Sequence, residues 1–169
     1  MNRIWLIGLA VLVLGACGHD DGTMMSDYAR DIGRHLDALG AEQTSHSSEV
    51  ASLSTLDGIR GAESTHWQRM GDHLDQMNLV MGDMMACGSD RGVRIDAAEF
   101  ARSMQEIRSD CDEHRQAMQS AVDVDSARSE ETRHGNAFHT KMGVMRGQWN
   151  MMMIQSGEYS CSHCRYCGM

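Results

Sequence analysis

The stretch Gly61–Met70, GAESTHWQRM, sets Glu63 and His66 three residues apart, and the stretch Ser129–Phe138, SEETRHGNAF, does the same with Glu131 and His134. The two stretches are offset by 68 residues, and sliding the chain on itself by that distance extends the match without a gap. His46 falls on His114, Asp57 on Asp125 and Arg60 on Arg128. Met77 and Met84 fall on Met145 and Met152, and Ala29, Arg34 and Glu42 on Ala97, Arg102 and Asp110. The chain therefore carries an internal repeat, 29–87 and 97–155, of about 60 residues, long enough for two helices in each copy.

Each copy reads as helix, short turn, helix. The turns are STLDG at 54–58 and VDVDS at 122–126, where Asp57 and Asp125 are the expected N-caps. Between the copies lies the polar, Gly-rich GSDRGVRID, with Asp96 and Glu99 spaced as a capping box. Helices are expected near 26–54, 57–87, 96–122 and 125–157, each about 40 Å long from the rise per residue. Not one proline occurs in 169 residues, so nothing in the chain forces a break in such helices. Short connections make successive helices antiparallel. The expected fold class is all-α, an up-down-up-down four-helix bundle built from a duplicated helical hairpin over 26–157.

Tracing the buried stripe with alternating steps of three and four puts the repeated polar residues on it. The stripe runs Ala29, Ile32, Leu36, Leu39, Gln43, His46, Val50, Leu53 in the first helix. In the second it runs Ile59, Glu63, His66, Met70, His73, Met77, Val80, Met84, Cys87. The third gives Ala97, Phe100, Met104, Ile107, Cys111, His114, Met118, Ala121. The fourth gives Ala127, Glu131, His134, Phe138, Met142, Met145, Trp149, Met152. His46 and His66 stand equally far from the first turn, and His114 and His134 equally far from the second. With both turns at one end, the four imidazoles share a layer roughly 15 Å below it. Glu63 and Glu131 lie one turn nearer the tip on the same inward face.

Burying such groups costs several kcal/mol unless each finds a partner, an ion or water. Two carboxylates and four imidazoles in one layer suit a metal better than a purely protein network. His46, Glu63, His66, His114, Glu131 and His134 are therefore the expected metal ligands.

A Glu-x-x-His figure on two helices of a four-helix bundle resembles the centres of ferritin-like di-metal proteins. The resemblance rests on Glu63/His66 and Glu131/His134 and on the bundle. In that family the remaining two helices each supply a glutamate, where this chain has His46 and His114. Glu42 and Asp110, one turn lower, are placed to back the imidazoles. More imidazole and less carboxylate moves the preference from oxygen-activating iron toward copper or zinc.

Softer ligands lie nearby. Cys111 is one turn from His114 and either brings a thiolate into the layer or is a buried, inert cysteine. Met70 and His73 continue below His66 as further candidate ligands, and 16 methionines either fill the core or offer thioethers to copper. The tail at 158–169 contains Cys161, His163, Cys164 and Cys167. It falls at the same end of the bundle as Cys87, so these residues form either a disulfide or a soft-metal clip.

The start of the chain is read apart from the fold. MNRIWLIGLAVLVLGAC has Arg3 followed by a short apolar run ending in small residues, the pattern of a secretory signal over 1–16. Leu14-Gly15-Ala16-Cys17 resembles the lipobox of bacterial lipoproteins. The resemblance implies palmitate and other acyl groups on Cys17, a tether over 17–25, and an envelope protein facing the periplasm. Gly18 after the cysteine favours the outer membrane by the same resemblance. A net charge of −9 argues against nucleic acid as a partner. The expected partners are the membrane, through the lipid, and metal ions. The expected role is metal handling, with copper ahead of iron or zinc. A ferritin-like metal-dependent oxidase and a metal-free structural or adaptor lipoprotein are the alternatives.

Overall fold

The structure, a computed structural model, describes residues 21–87 and 91–155. Four helices account for nearly all of them: α1 (Asp21–Ser52), α2 (Leu56–Cys87), α3 (Arg91–Ser120) and α4 (Val124–Gln155). Each helix packs on the two that flank it around the bundle: α1 on α2 and α4, α3 on α2 and α4. The duplicated-hairpin, up-down-up-down bundle is what the repeat implies. Among the described residues no helix is long and apolar enough to cross a membrane. Cys17, Cys161, His163, Cys164, Cys167 and the side chain of Cys87 lie outside the described residues.

The helix starts correct the sequence reading in detail. The caps are Thr55 and Asp123, not Asp57 and Asp125. The Gly58 amide donates to Thr55 Oγ1 at 3.2 Å, and the Ser126 amide donates to Asp123 Oδ1 at 2.7 Å. Thr55 and Asp123 are themselves 68 residues apart, so the cap is duplicated too. Each reaches the amide three residues on, whereas Asp57 and Asp125 already stand in the first turn, where their charge favours the helix dipole. Helix α3 begins at Arg91, so Asp96 stands inside it and not at its start. Gly92 weakens that segment by about 1 kcal/mol, which is too little to stop a helix.

A second duplicated device ties the two hairpins. Arg60 of α2 donates to Gln119 O and Ala121 O at the end of α3, both at 3.0 Å. Arg128 of α4 donates to Ala51 O and Leu53 O at the end of α1, at 3.1 and 2.8 Å. Each guanidinium thus satisfies carbonyls left open by a helix of the other repeat.

The apolar interior falls into two clusters. A small one, Val50, Ile59, Met118 and Ala127, plugs the turn end. A large one fills the rest, from Leu39, Met70, Ile107 and Phe138 beside the polar layer down to Met84, Met145 and Met152. In α2 the stripe passes through Leu74 and Met81, which are buried, while His73 and Val80 are half-buried at its edge. Steps of four-then-three and three-then-four share Met70, Met77 and Met84, and the bundle turns the bulkier apolar partner inward. Between the two clusters sits the polar layer.

Candidate metal centre

His46, Glu63, His114 and Glu131 come from the four helices in turn, and all are buried. Their ligand atoms form an alternating ring. His46 Nε2 lies 3.0 Å from Glu63 Oε2 and 3.4 Å from Glu131 Oε2. His114 Nε2 lies 3.2 Å from Glu63 Oε2 and 3.1 Å from Glu131 Oε2. No two of the four atoms are more than 4.8 Å apart. A cation at the middle would be within a few tenths of an ångström of the ~2.0–2.2 Å usual for imidazole nitrogen and carboxylate oxygen on a transition metal. The grouping can hold a metal ion.

His66 and His134 share the layer but stand apart from this ring. Each stacks on its neighbour: His66 on His46, with centroids 4.0 Å apart and planes at 5°, and His134 on His114, at 4.0 Å and 8°. Behind them are the carboxylates expected to back the imidazoles. His66 Nδ1 is 3.4 Å from Glu42 Oε1, and His134 Nδ1 is 3.3 Å from Asp110 Oδ2. Arg69 holds Glu42 from the surface at 3.4 Å, and Lys141 holds Asp110 at 3.3 Å. A neutral His66 that donates from Nδ1 to Glu42 carries its lone pair on Nε2, and Nε2 of both His66 and His134 is buried without a partner.

The electrostatics divide the four imidazoles into two kinds. Burial opposes a charge on His46, yet hydrogen bonds and attraction from Glu131 and Glu63 outweigh it and raise its pKa to about 9. His114 is raised to about 10 against the same burial cost, with Glu130 adding to Glu131 and Glu63. Burial and repulsion from charged His46 push His66 down to about 3. Burial and charged His114 push His134 down to about 4. Burial likewise resists the charges of Glu63 and Glu131, but the two imidazoliums win, holding Glu63 at about 2 and Glu131 lower still. Without metal, the ring at neutral pH is two carboxylates and two imidazoliums, with a net charge of zero.

Three residues that the sequence did not mark as partners complete the centre. Gln43 Nε2 and Ser47 Oγ donate to Glu131 Oε1 at 2.9 and 2.6 Å. Glu130 Oε1 lies 3.2 Å from His114 Nδ1 and is itself held by Arg133. Gln43 was visible as a polar residue on the apolar stripe, and Glu130 as half of a Glu-Glu doublet. The match of the repeats fails there, because Ala62 stands at the place of Glu130, and His46 Nδ1 is left without a partner.

The softer candidates fall elsewhere. Cys111 is buried and free, and burial, with Asp110 and Glu63 adding, pushes its thiol up to about 12, the behaviour of a protonated core cysteine. Met70 belongs to the large apolar cluster. His73 Nδ1 faces His35 Nδ1 at 3.2 Å, a separate half-buried pair.

No protein-family model, curated protein or solved structure matches the chain.

Proposed function

We propose that this chain is a lipid-anchored envelope protein that binds a transition-metal dication, copper before zinc or iron, in the ring of His46, Glu63, His114 and Glu131. The reading is one of metal handling rather than catalysis. The carrying observation is that ring: four alternating imidazole and carboxylate atoms, one from each helix, buried between two apolar clusters.

A charge argument supports metal over a permanent proton network. Two imidazoliums and two carboxylates sum to zero, and so do two neutral imidazoles, two carboxylates and one dication. Exchanging two protons for one ion leaves the buried charge unchanged, so the bundle incurs no new cost of burying charge. A mixed nitrogen and oxygen ring suits copper(II), and the imidazole share disfavours magnesium or calcium. His66 and His134 add two free nitrogen lone pairs beside it, which leaves room for a fifth ligand or a second ion. Envelope placement rests on the Leu14–Cys17 lipobox resemblance.

The test is metal content and melting temperature of protein purified without an affinity tag. One bound ion per chain and a rise in Tm on adding copper or zinc are expected, because the ligands tie all four helices together. His114→Ala is expected to remove both effects, while His66→Ala weakens binding without abolishing it. A metal-free wild-type protein whose melting curve ignores copper, zinc and iron would refute the proposal.

A further inference from the structure

The duplication supplies an internal comparison of the two ways into the centre. On the α2–α3 face, Trp67 and Arg115 close the path: the Arg115 guanidinium lies 4.3 Å over the Trp67 ring, and Trp67 Nε1 donates to Asp112 Oδ1 at 3.0 Å. The space left beside Glu63 there is about 140 Å³. The 68-residue offset carries Trp67 to Gly135 and Arg115 to Ser47. On the α1–α4 face the plug is therefore missing, and a cavity of about 710 Å³ runs from the surface between Gly135 and Ser47 to Glu131.

Glu131 joins that cavity to the ring. Its Oε1 accepts from Gln43 and Ser47, which line the cavity, while its Oε2 faces His46 and His114. Gln43 is 6% exposed, and its Oε1 has no partner, which leaves an acceptor beside the cavity for an incoming aqua ion or another hydrogen-bond donor.

We infer that the α1–α4 cavity is a one-sided port through which the metal ion, and small hydrogen-bonding ligands of that ion, reach the ring past Glu131. The inference rests on the metal reading of the ring. The ion arrives hydrated, sheds its water as Glu131 and then the imidazoles replace it, and displaces the protons of His46 and His114 to solvent. The α2–α3 face stays shut.

Cobalt(II) is the probe, with uptake followed by stopped-flow visible absorption of the full chain and removal followed by adding EDTA. Gly135→Trp restores the missing plug. A Cβ at Gly135 meets only Gln43 Nε2 and Ser47 Oγ, both at 3.7 Å, so the helix accepts a side chain there. Uptake and removal are expected to slow together by about tenfold or more with the dissociation constant unchanged, as for a gate rather than a ligand. Adding Trp67→Gly to Gly135→Trp opens the opposite face and is expected to restore both rates. Gly135→Leu carries the same test should the larger variant not fold by circular dichroism. Wild-type rates in a folded Gly135 variant, or a change confined to the dissociation constant, would overturn the port while leaving the metal centre standing. Wild-type protein that takes up no cobalt, copper or zinc would overturn the metal centre and the port with it.

Discussion

Metal binding at the ring is a competition with protons, and its pH dependence can be worked out from the structure. Imidazoles with their usual pKa near 6.5 would already be bare at pH 8, so binding would weaken only as pH fell through about 6.5. The carboxylates of Glu63 and Glu131 move that window upward, raising His46 to about 9 and His114 to about 10. Both imidazoles are then protonated at pH 7 and must release their protons for an ion to coordinate. Removing both at pH 7 costs on the order of 7 kcal/mol, from ~1.4 kcal/mol per pH unit. The apparent binding constant is expected to rise about a hundredfold from pH 7 to pH 8, with about two protons released per ion. Titration calorimetry of zinc binding in buffers of different ionisation enthalpy counts those protons directly. A release well below one proton per ion at pH 8, with the ion bound at the ring, would refute the charge-exchange argument.

Further outcomes follow from the same geometry. For the metal-free protein, the raised His46 and His114 contribute stability that is fully present below pH 6.5 and is lost as pH rises through about 9 to 10. The depressed Glu63 contributes stability that is present above its unfolded pKa and is lost as pH falls through about 2, while the depressed His66 and His134 cost stability as pH drops below 6.5. Melting temperature against pH should therefore peak near pH 6.5 and fall as pH rises from there toward 9 to 10; a flat or rising profile across that range contradicts this. Glu63→Gln removes the partner of two buried imidazoliums and should cost about 3–5 kcal/mol in urea unfolding of the metal-free protein, and metal binding with it. An unchanged urea midpoint would show that the ring is not charged. Arg60→Ala and Arg128→Ala should each cost about 1–3 kcal/mol, alike because their partners are equivalent. A large difference between the two would show that the paired ties are not equivalent.

Much of this was legible in the sequence because the repeat doubled every signal. Glu63, His66 and their copies could be placed on an inward face by spacing alone, and their common height followed from equal distances to the two turns. Which imidazoles take which role was not legible. Spacing brings His46 and His66 to the same level, but only the packed side chains show that His66 turns aside to stack and to meet Glu42. The cap positions were missed by two residues because Asp57 and Asp125 are attractive at any place in the first turn. Only the side-chain hydrogen bonds single out Thr55 and Asp123. The α2 stripe was ambiguous for a related reason, since two heptad tracings share every second residue and packing chooses between them. The open face at Gly135 is a failure of the repeat to match, and it carries meaning only once Trp67 is seen plugging the other side.

The central claim is that one ion sits among His46 Nε2, Glu63 Oε2, His114 Nε2 and Glu131 Oε2. Anomalous diffraction at the copper or zinc edge from metal-loaded crystals tests it directly. A single strong peak is expected inside that ring, about 2.0–2.2 Å from its nitrogens and oxygens. A ring without a peak, or a peak confined to the His35–His73 pair or the cysteine tail, would contradict it.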